Sequence, residues 1–172
     1  HAVTLLNGYL DGMIEIAFSH EGTLDRIVGD AVAIVFSAPL PQTDHEQRAL
    51  RCALDMQAFA HRYAAELQSR GIDFGQTRIG VHTGEVIVGN FGGKTIFDYR
   101  ALGDAVNTTS RLEGANRYLG TLICVSQAIL DACPGVAARP VGRLILKGKS
   151  QALAAGEPVP EGARADPAYL DA

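Results

Sequence analysis

A two-residue turn between two β-rich runs constrains the fold of this chain more than any other feature. Residues 24–28 and 31–36 are rich in apolar and β-branched side chains, and only Gly29 and Asp30 separate them. Strands joined by so short a turn pair in the antiparallel sense. The segment therefore predicts a β-hairpin with Gly29-Asp30 at its tip, within a fold that contains antiparallel sheet.

Helical patterns flank this hairpin on both sides. Residues 2–19 carry apolar side chains with a period of about 3.6 residues, which predicts an amphipathic helix that begins before the chain does. The proline-containing segment 38–41 breaks the second strand. Thr43 and Glu46 then have the spacing of a capping box, so we expect a long helix from there to about Arg70.

The second half of the chain continues to alternate strands and helices. Residues 77–83 and 86–90 are predicted to pair as a second hairpin through the Gly-Glu turn between them. The patterns that follow predict an extended segment at 96–102, a helix with Asp104 as its N-cap that runs to about Tyr118, a strand at 122–125, a short helix at 126–132 and a strand at 139–147.

This order of elements predicts an α+β fold. A mainly antiparallel sheet with helices layered on one face buries the apolar side of each element. A ferredoxin-like sandwich, with its first strand missing before residue 1, fits the order. Residues 1–153 are of a length that suits one domain. Residues 154–172, where Ala, Gly, Pro and acidic residues dominate, are expected to be a linker or C-terminal extension.

Composition excludes several classes of protein. The net charge of −4 argues against a general nucleic-acid or anionic-membrane surface. No apolar run approaches the ~20 residues of a membrane span, and the chain opens without a signal-peptide pattern. Cys52, Cys124 and Cys133 have no paired or metal-type spacing and are expected to be reduced structural thiols. We expect a cytoplasmic domain, which could still belong to a membrane-anchored protein.

Asp30 has two interpretations. Aspartate and glycine populate hairpin turns for conformational reasons, so Gly29-Asp30 alone is typical of a turn. The carboxylate could also bind a divalent cation, since Mg²⁺ is usually held by one or two carboxylates together with phosphate oxygens. A second carboxylate would then have to come from a neighbouring strand, and its natural place is upstream of His1.

A second group of polar residues lies on and beyond the predicted helix that follows Gly103. Asn107 and Arg111 are four residues apart and share one helix face, which is ordinarily a solvated face. In a functional interpretation, Arg111 donates to a phosphate that gains charge in the transition state, and Asn107 orients a sugar. Lys147, where a strand gives way to a loop, could reach outer phosphates as a point charge. Together with Asp30, these residues suggest phosphoryl chemistry on a nucleotide.

Four segments of the chain, in order, resemble the catalytic domain of class III nucleotidyl (adenylate/guanylate) cyclases of the bacterial type. They are residues 22–36, 78–90, 98–113 and 146–149. The resemblance implies an enzyme that converts a nucleoside triphosphate to a 3′,5′-cyclic monophosphate and pyrophosphate. It also implies two Mg²⁺ or Mn²⁺ ions in each site, and sites formed between two domains arranged head to tail.

The same resemblance implies a role for each candidate residue. Asp30 matches one of the two metal-binding aspartates, the other being expected upstream of His1. Asn107 and Arg111 match the pair that acts on the transition state, with Arg111 reaching across the interface between the two domains. Lys147 matches the lysine that holds the terminal phosphates.

Two positions depart from the family pattern. Arg26 stands where adenylate cyclases of this family commonly place a purine-reading lysine, and Arg100 stands where they place an aspartate or, in many bacterial members, a threonine. Arginine only donates hydrogen bonds, so it could address adenine N1 but would equally suit guanine O6 and N7.

The expected function is a purine nucleotide cyclase for intracellular signalling, with ATP preferred over GTP. We expect a head-to-tail homodimer that acts on a nucleoside triphosphate, with regulatory domains elsewhere in the full-length protein and no nucleic-acid partner. The alternative is a non-catalytic cyclase-like module for dimerisation or nucleotide sensing. Asp30, Asn107, Arg111 and Lys147 favour the enzyme, whereas the two arginines at the purine positions favour the alternative.

Overall fold

The computed structural model of the chain describes residues 2–160. Over this range the chain forms four helices: α1 (Ala2–Ser19), α2 (His45–Ser69), α3 (Asp104–Leu119) and α4 (Gln127–Ala132). The strands are β1 (Thr23–Val28), β2 (Ala31–Val35), β3 (Ile79–Val81), β4 (Ile87–Gly92), β5 (Phe97–Leu102), β6 (Ile123–Ser126), β7 (Ala138–Leu144) and β8 (Leu153–Pro158).

The strands form one four-stranded sheet and two separate hairpins. The sheet has the order β3-β6-β8-β7, in which β3 and β6 are parallel and the other neighbours are antiparallel. The two antiparallel hairpins are β1-β2 and β4-β5. The predicted α+β fold with mainly antiparallel pairing is therefore confirmed, and the first hairpin forms where the Gly29-Asp30 turn predicts it.

The core lies between the helices and the four-stranded sheet. One cluster joins α1 to α2, a second packs α2 and α4 against β3 and β6, and a third packs α3 against β6 and β8. The helices α1 and α2 approach closely because Gly12 has no side chain to collide with the Phe59 ring. No helix within residues 2–160 is long and apolar enough to cross a membrane.

The predicted second hairpin is wrong. Residues 79–81 form only a short strand, β3, which pairs in parallel with the fully buried β6, while β4 pairs with β5. Gly80 lies against the backbone of α3 at Thr109 and Glu113, an approach that any side chain would prevent. Burial between β6 and α3 thus outweighs the local hairpin signal.

The linker assignment is also wrong for residues 154–158. They belong to β8, which lies between β6 and β7 in the sheet. The absence of a side chain at Gly156 lets α4 pack against this strand, because a Cβ there would lie 2.8 Å from Leu130 Cδ1 of α4. Glu157, which is buried, pairs with Arg139 of β7 at 2.7 Å. The rest of the predicted extension, residues 161–172, lies outside the described residues.

Two further predictions concern the cysteines and the start of α2. Cys52, Cys124 and Cys133 are free and buried, as expected. The predicted capping box at Thr43 is absent: α2 begins after Asp44, whose side chain does not cap the helix but accepts a hydrogen bond from Arg48 Nε at 2.7 Å.

Candidate functional site

Asp30 lies exposed at the tip of the β1-β2 hairpin. Gly29 beside it has a φ of 63°, which suits glycine in a tight turn. Within residues 2–160, no cation lies within ion-pair distance of the Asp30 carboxylate, and no group of three metal-type side chains is assembled. A free carboxylate has the hard oxygens that Mg²⁺ prefers, so Asp30 fits the role of one ligand in a larger set.

Arg26 is held by the residue before it and by a neighbouring strand. Its Nε donates to Asp25 Oδ2 at 2.6 Å, and its Nη2 donates to the Ala101 carbonyl oxygen at 3.4 Å. The second oxygen of Asp25 accepts the Ala101 backbone N–H at 2.7 Å. These contacts tie β1 to β5, although the two strands belong to separate hairpins. Sequence reasoning missed Asp25, whose signal was an acidic residue inside an apolar strand.

Arg100 lies on β5, immediately before Ala101. Its Nη2 donates to Asp98 Oδ2 at 3.0 Å, and both side chains are well exposed. The structure thus brings the Arg26 guanidinium to the strand that carries Arg100. Each of these two arginines contacts a carboxylate from its own strand.

The helix α3 presents Asn107 and Arg111. Asn107 is exposed and Arg111 is partly buried, whereas Thr108, Leu112 and Asn116 form the buried face. The Asn116 amide donates to the Ile79 carbonyl oxygen at 2.9 Å, which anchors α3 to β3. The helix therefore has a fixed rotation, with Asn107 and Arg111 outside the core.

The loop after β7 brings the turn that carries Lys147 close to Arg111. Gly148 has a φ of 76°, and a Cβ there would lie 3.5 Å from Arg111 Nη2. The Lys149 backbone N–H donates to the Leu146 carbonyl oxygen at 2.9 Å, which closes the turn. Arg111 and Lys147 line the same open groove. Two of the predicted phosphate ligands therefore face the same groove.

An ion pair between Asp104 and Lys149 fastens this loop to the first turn of α3. The hydrogen bond from Lys149 holds the pKa of Asp104 below its usual value, and the charge of Arg111 acts in the same direction. Near the pair, burial lowers the pKa of His82, whose Nδ1 lies 2.9 Å from Ser126 Oγ. The sequence pattern indicates Asp104 only as a helix N-cap, and nothing near it signals this contact with Lys149.

The groove beside α3 is predominantly basic. Its charged lining comprises Arg78, Arg111, Arg117, Lys147 and one carboxylate, Glu113. Burial raises the pKa of Glu113, the Arg78 guanidinium opposes that rise, and the Asp30 carboxylate adds to it. A concentration of guanidinium and ammonium groups suits a polyanion such as a chain of phosphates.

In the described part of the chain, Asp30 makes no direct polar contact with the other predicted site residues. Within residues 2–160, no hydrogen bond or ion pair joins Asp30 to Asn107, Arg111 or Lys147. A single chain therefore presents a basic half-site beside α3, and the Asp30 carboxylate at the β1-β2 turn acts on the groove through its charge at Glu113 rather than through a direct contact.

Comparison with known proteins gives consistent matches. The family model described as the adenylate and guanylate cyclase catalytic domain matches residues 1–154. Adenylate cyclase 1 of Rhizobium meliloti (strain 1021) is 38% identical over 152 residues, which cover 88% of this chain and 23% of that protein. The chain thus spans less than a quarter of the length of this relative.

Solved structures agree with the sequence matches. The crystal structure of the adenylyl cyclase CyaB from P. aeruginosa has a TM-score of 0.84 and 30% identity, covering 92% of this chain and 82% of that one. The crystal structure of the guanylyl cyclase Cya2 has a TM-score of 0.80 and 30% identity, covering 93% of this chain and 82% of that one. The matched structures thus include cyclases named for either purine.

Proposed function

The chain belongs to the adenylate and guanylate cyclase catalytic domain family, and from this premise we propose that it converts ATP, in preference to GTP, to the 3′,5′-cyclic monophosphate and pyrophosphate. The resemblance seen in the four sequence segments is thereby confirmed. The observation that carries the proposal is the approach of the Gly148 turn to Arg111, which places Lys147 and Arg111 along one basic groove.

Each residue of the half-site beside α3 has a proposed task. Arg111 donates to the phosphate that gains charge as the ribose 3′-oxygen attacks, because a guanidinium held in place stabilises developing negative charge. Lys147 holds the terminal phosphates as a point charge. Asn107, one helical turn before Arg111, orients the ribose.

Asp30 is proposed to be one carboxylate ligand of the Mg²⁺ or Mn²⁺ ions, with a second aspartate upstream of His1. When bound, two such ions would neutralise phosphate charge and lower the pKa of the attacking 3′-hydroxyl. Exposure leaves the Asp30 oxygens accessible to a ligand, and the hairpin fixes their position.

We propose that two copies of the chain assemble head to tail, so that Asp30 of one copy and Arg111 of the other serve the same substrate. The absence of a direct contact between Asp30 and Arg111 within residues 2–160 of one chain supports this arrangement. The β4-β5 hairpin offers a surface for it, because it exposes the apolar side chains of Ile87, Phe91, Ile96, Phe97 and Tyr99. A second copy is the occupant that would cover them and complete the site.

The choice of purine is assigned to Arg26 and Arg100. The Arg26 guanidinium contacts β5 at Ala101, next to Arg100, so the two arginines come from adjoining backbone. A role in intracellular signalling, and control by regulatory domains in the rest of the protein, are proposed from the kinship with a much longer adenylate cyclase.

A non-catalytic module for dimerisation or nucleotide sensing is the second candidate. The observation that favours it is that Arg26 and Arg100 contact Asp25 and Asp98, respectively. In a cyclase-like module that had lost purine recognition, the two arginines would stay in these ion pairs with Asp25 and Asp98 and would not bind a base.

Cyclic nucleotide formation decides between the two candidates. The full-length protein is incubated with ATP or GTP and Mn²⁺, and the product is measured alongside an Arg111→Ala variant. Arg62→Ala serves as a matched control, since Arg62 is exposed on α2. Turnover that is lost only in Arg111→Ala supports the enzyme. A folded, dimeric wild-type protein without turnover supports the second candidate.

A further inference from the structure

We propose that Asp25 is a positioning residue for purine selection, which holds the Arg26 guanidinium and the β5 backbone beside Arg100 in one arrangement. The inference rests on the proposed role of the two arginines in reading the base. It assigns a task to a carboxylate that the sequence patterns did not single out.

The burial of Asp25 is the first observation. Its side chain is only 3% exposed, although it carries a carboxylate. A buried charge is retained only where hydrogen bonds compensate for its lost hydration. Both oxygens of Asp25 have a partner: Oδ2 accepts from Arg26 Nε at 2.6 Å, and Oδ1 accepts from the Ala101 N–H at 2.7 Å.

The geometry of the three residues is the second observation. Arg26 Nη2 also donates to the Ala101 carbonyl oxygen at 3.4 Å, so Asp25, Arg26 and Ala101 form a closed ring of contacts. Because Nε and Nη2 are both engaged, the plane of the guanidinium is fixed. Within residues 2–160 no partner engages Nη1, so its donors can serve a base, and a donor held in place before binding loses little entropy when the base arrives.

An Asp25→Asn substitution separates positioning from general stabilisation. The amide oxygen can still accept the Ala101 N–H, so the link to β5 can be kept. The amide nitrogen would then face Arg26 Nε, donor against donor, and Arg26 would be released. Because asparagine has nearly the shape of aspartate, we expect Asp25→Asn to alter the preference between ATP and GTP without disturbing the packing.

The test is a double-mutant cycle on the full-length protein, with kcat/KM measured for ATP and for GTP in Asp25→Asn, Arg26→Ala and the double variant. We expect Asp25→Asn to shift the ATP-to-GTP ratio in the same direction as Arg26→Ala, by up to about tenfold, and the double variant to match Arg26→Ala. Asp131→Asn, on the exposed side of α4, is the matched control and should leave the ratio unchanged.

Two results would overturn the inference. One is an equal loss for both nucleotides in Asp25→Asn that adds to the effect of Arg26→Ala. The other is a ratio that does not respond to Arg26→Ala. If Asp25→Asn gives no folded protein, Asp25→Glu is the deciding variant, because it keeps the charge but displaces the carboxylate oxygens. A shifted ATP-to-GTP ratio in Asp25→Glu supports the positioning role, and a wild-type ratio overturns it.

Binding measurements separate this inference from the proposed function. Calorimetry with 3′-deoxy-ATP and 3′-deoxy-GTP, which lack the attacking hydroxyl, reports base preference without turnover. A wild-type protein that forms no cyclic product, but whose binding preference shifts in both Asp25→Asn and Arg26→Ala, contradicts the enzyme and supports Asp25. A protein that cyclises both nucleotides, and whose base preference is the same in wild type and in Asp25→Asn, supports the enzyme and contradicts the proposed role of Asp25.

Discussion

Gly148 and Arg111 come from distant parts of the chain and meet so closely that a methyl group on Gly148 would lie 3.5 Å from Arg111 Nη2. This contact places the turn after Lys147 over the exposed side of α3. The geometry of the basic groove depends on this contact and on the Asp104–Lys149 ion pair, which also fastens the loop to α3.

A Gly148→Ala substitution should therefore impair both folding and activity. The φ of 76° costs a residue with a Cβ about 1–2 kcal/mol, and relief of that strain would move the Lys147 turn away from Arg111. We expect a lower melting temperature and a kcat/KM reduced by about tenfold. Gly135→Ala, at an open position with negative φ, is the control; equal losses in both variants would contradict the account.

The head-to-tail arrangement predicts complementation between inactive chains. Asp30→Ala and Arg111→Ala should each abolish turnover alone, because every site in either homodimer lacks one group. Mixing the two proteins should restore activity, since a heterodimer contains one intact site. Product formation after mixing and subunit exchange measures this. A mixture that forms heterodimers and stays inactive is incompatible with a shared site.

Replacement of Arg26 by lysine should change base preference rather than abolish turnover. A lysine can still pair with Asp25 and donate one hydrogen bond to adenine N1, but it lacks the planar fork that suits guanine O6 and N7 together. We expect ATP turnover to be kept or raised and the kcat/KM for GTP to fall several-fold. An unchanged ratio of the two nucleotides would mean that Arg26 does not face the purine.

The ion pair between Asp104 and Lys149 predicts a pH-dependent contribution to stability. The pKa of Asp104 is lowered from 3.8 in the folded state by the hydrogen bond from Lys149. The stabilisation should thus be fully present above pH 3.8 and lost as the pH falls through the lower folded-state pKa. Melting curves of wild-type protein and Asp104→Asn should differ at pH 7 and converge in acid. A difference that persists unchanged in acid would point to packing rather than charge.

The elements that the sequence predicted well are those whose signals are local. The β1-β2 hairpin forms because two strands and their Gly29-Asp30 turn are contiguous, and α3 begins within one residue of its predicted start, with Gly103 rather than Asp104 as its N-cap. Pairing between distant segments was not predictable in the same way. The parallel partner of β3 is β6, some forty residues later, and nothing near residue 79 specifies it.

In the candidate site, too, local features were predictable and contacts between distant segments were not. The four-residue spacing of Asn107 and Arg111 identified a helix face correctly, but which neighbour that face would meet is a matter of tertiary packing. The ring of contacts at Asp25 could not be predicted from the sequence, because two of its members are the N–H and the carbonyl oxygen of Ala101. Backbone groups carry no sequence signal.

The place of β8 has a practical consequence for anyone who shortens this protein. A boundary drawn before residue 154, where the composition changes, would remove a strand that lies between two others. The facing edges of β6 and β7 would then carry unpaired amide and carbonyl groups, which recruit strands from other molecules. Such a truncated product should precipitate even though every proposed site residue is still present.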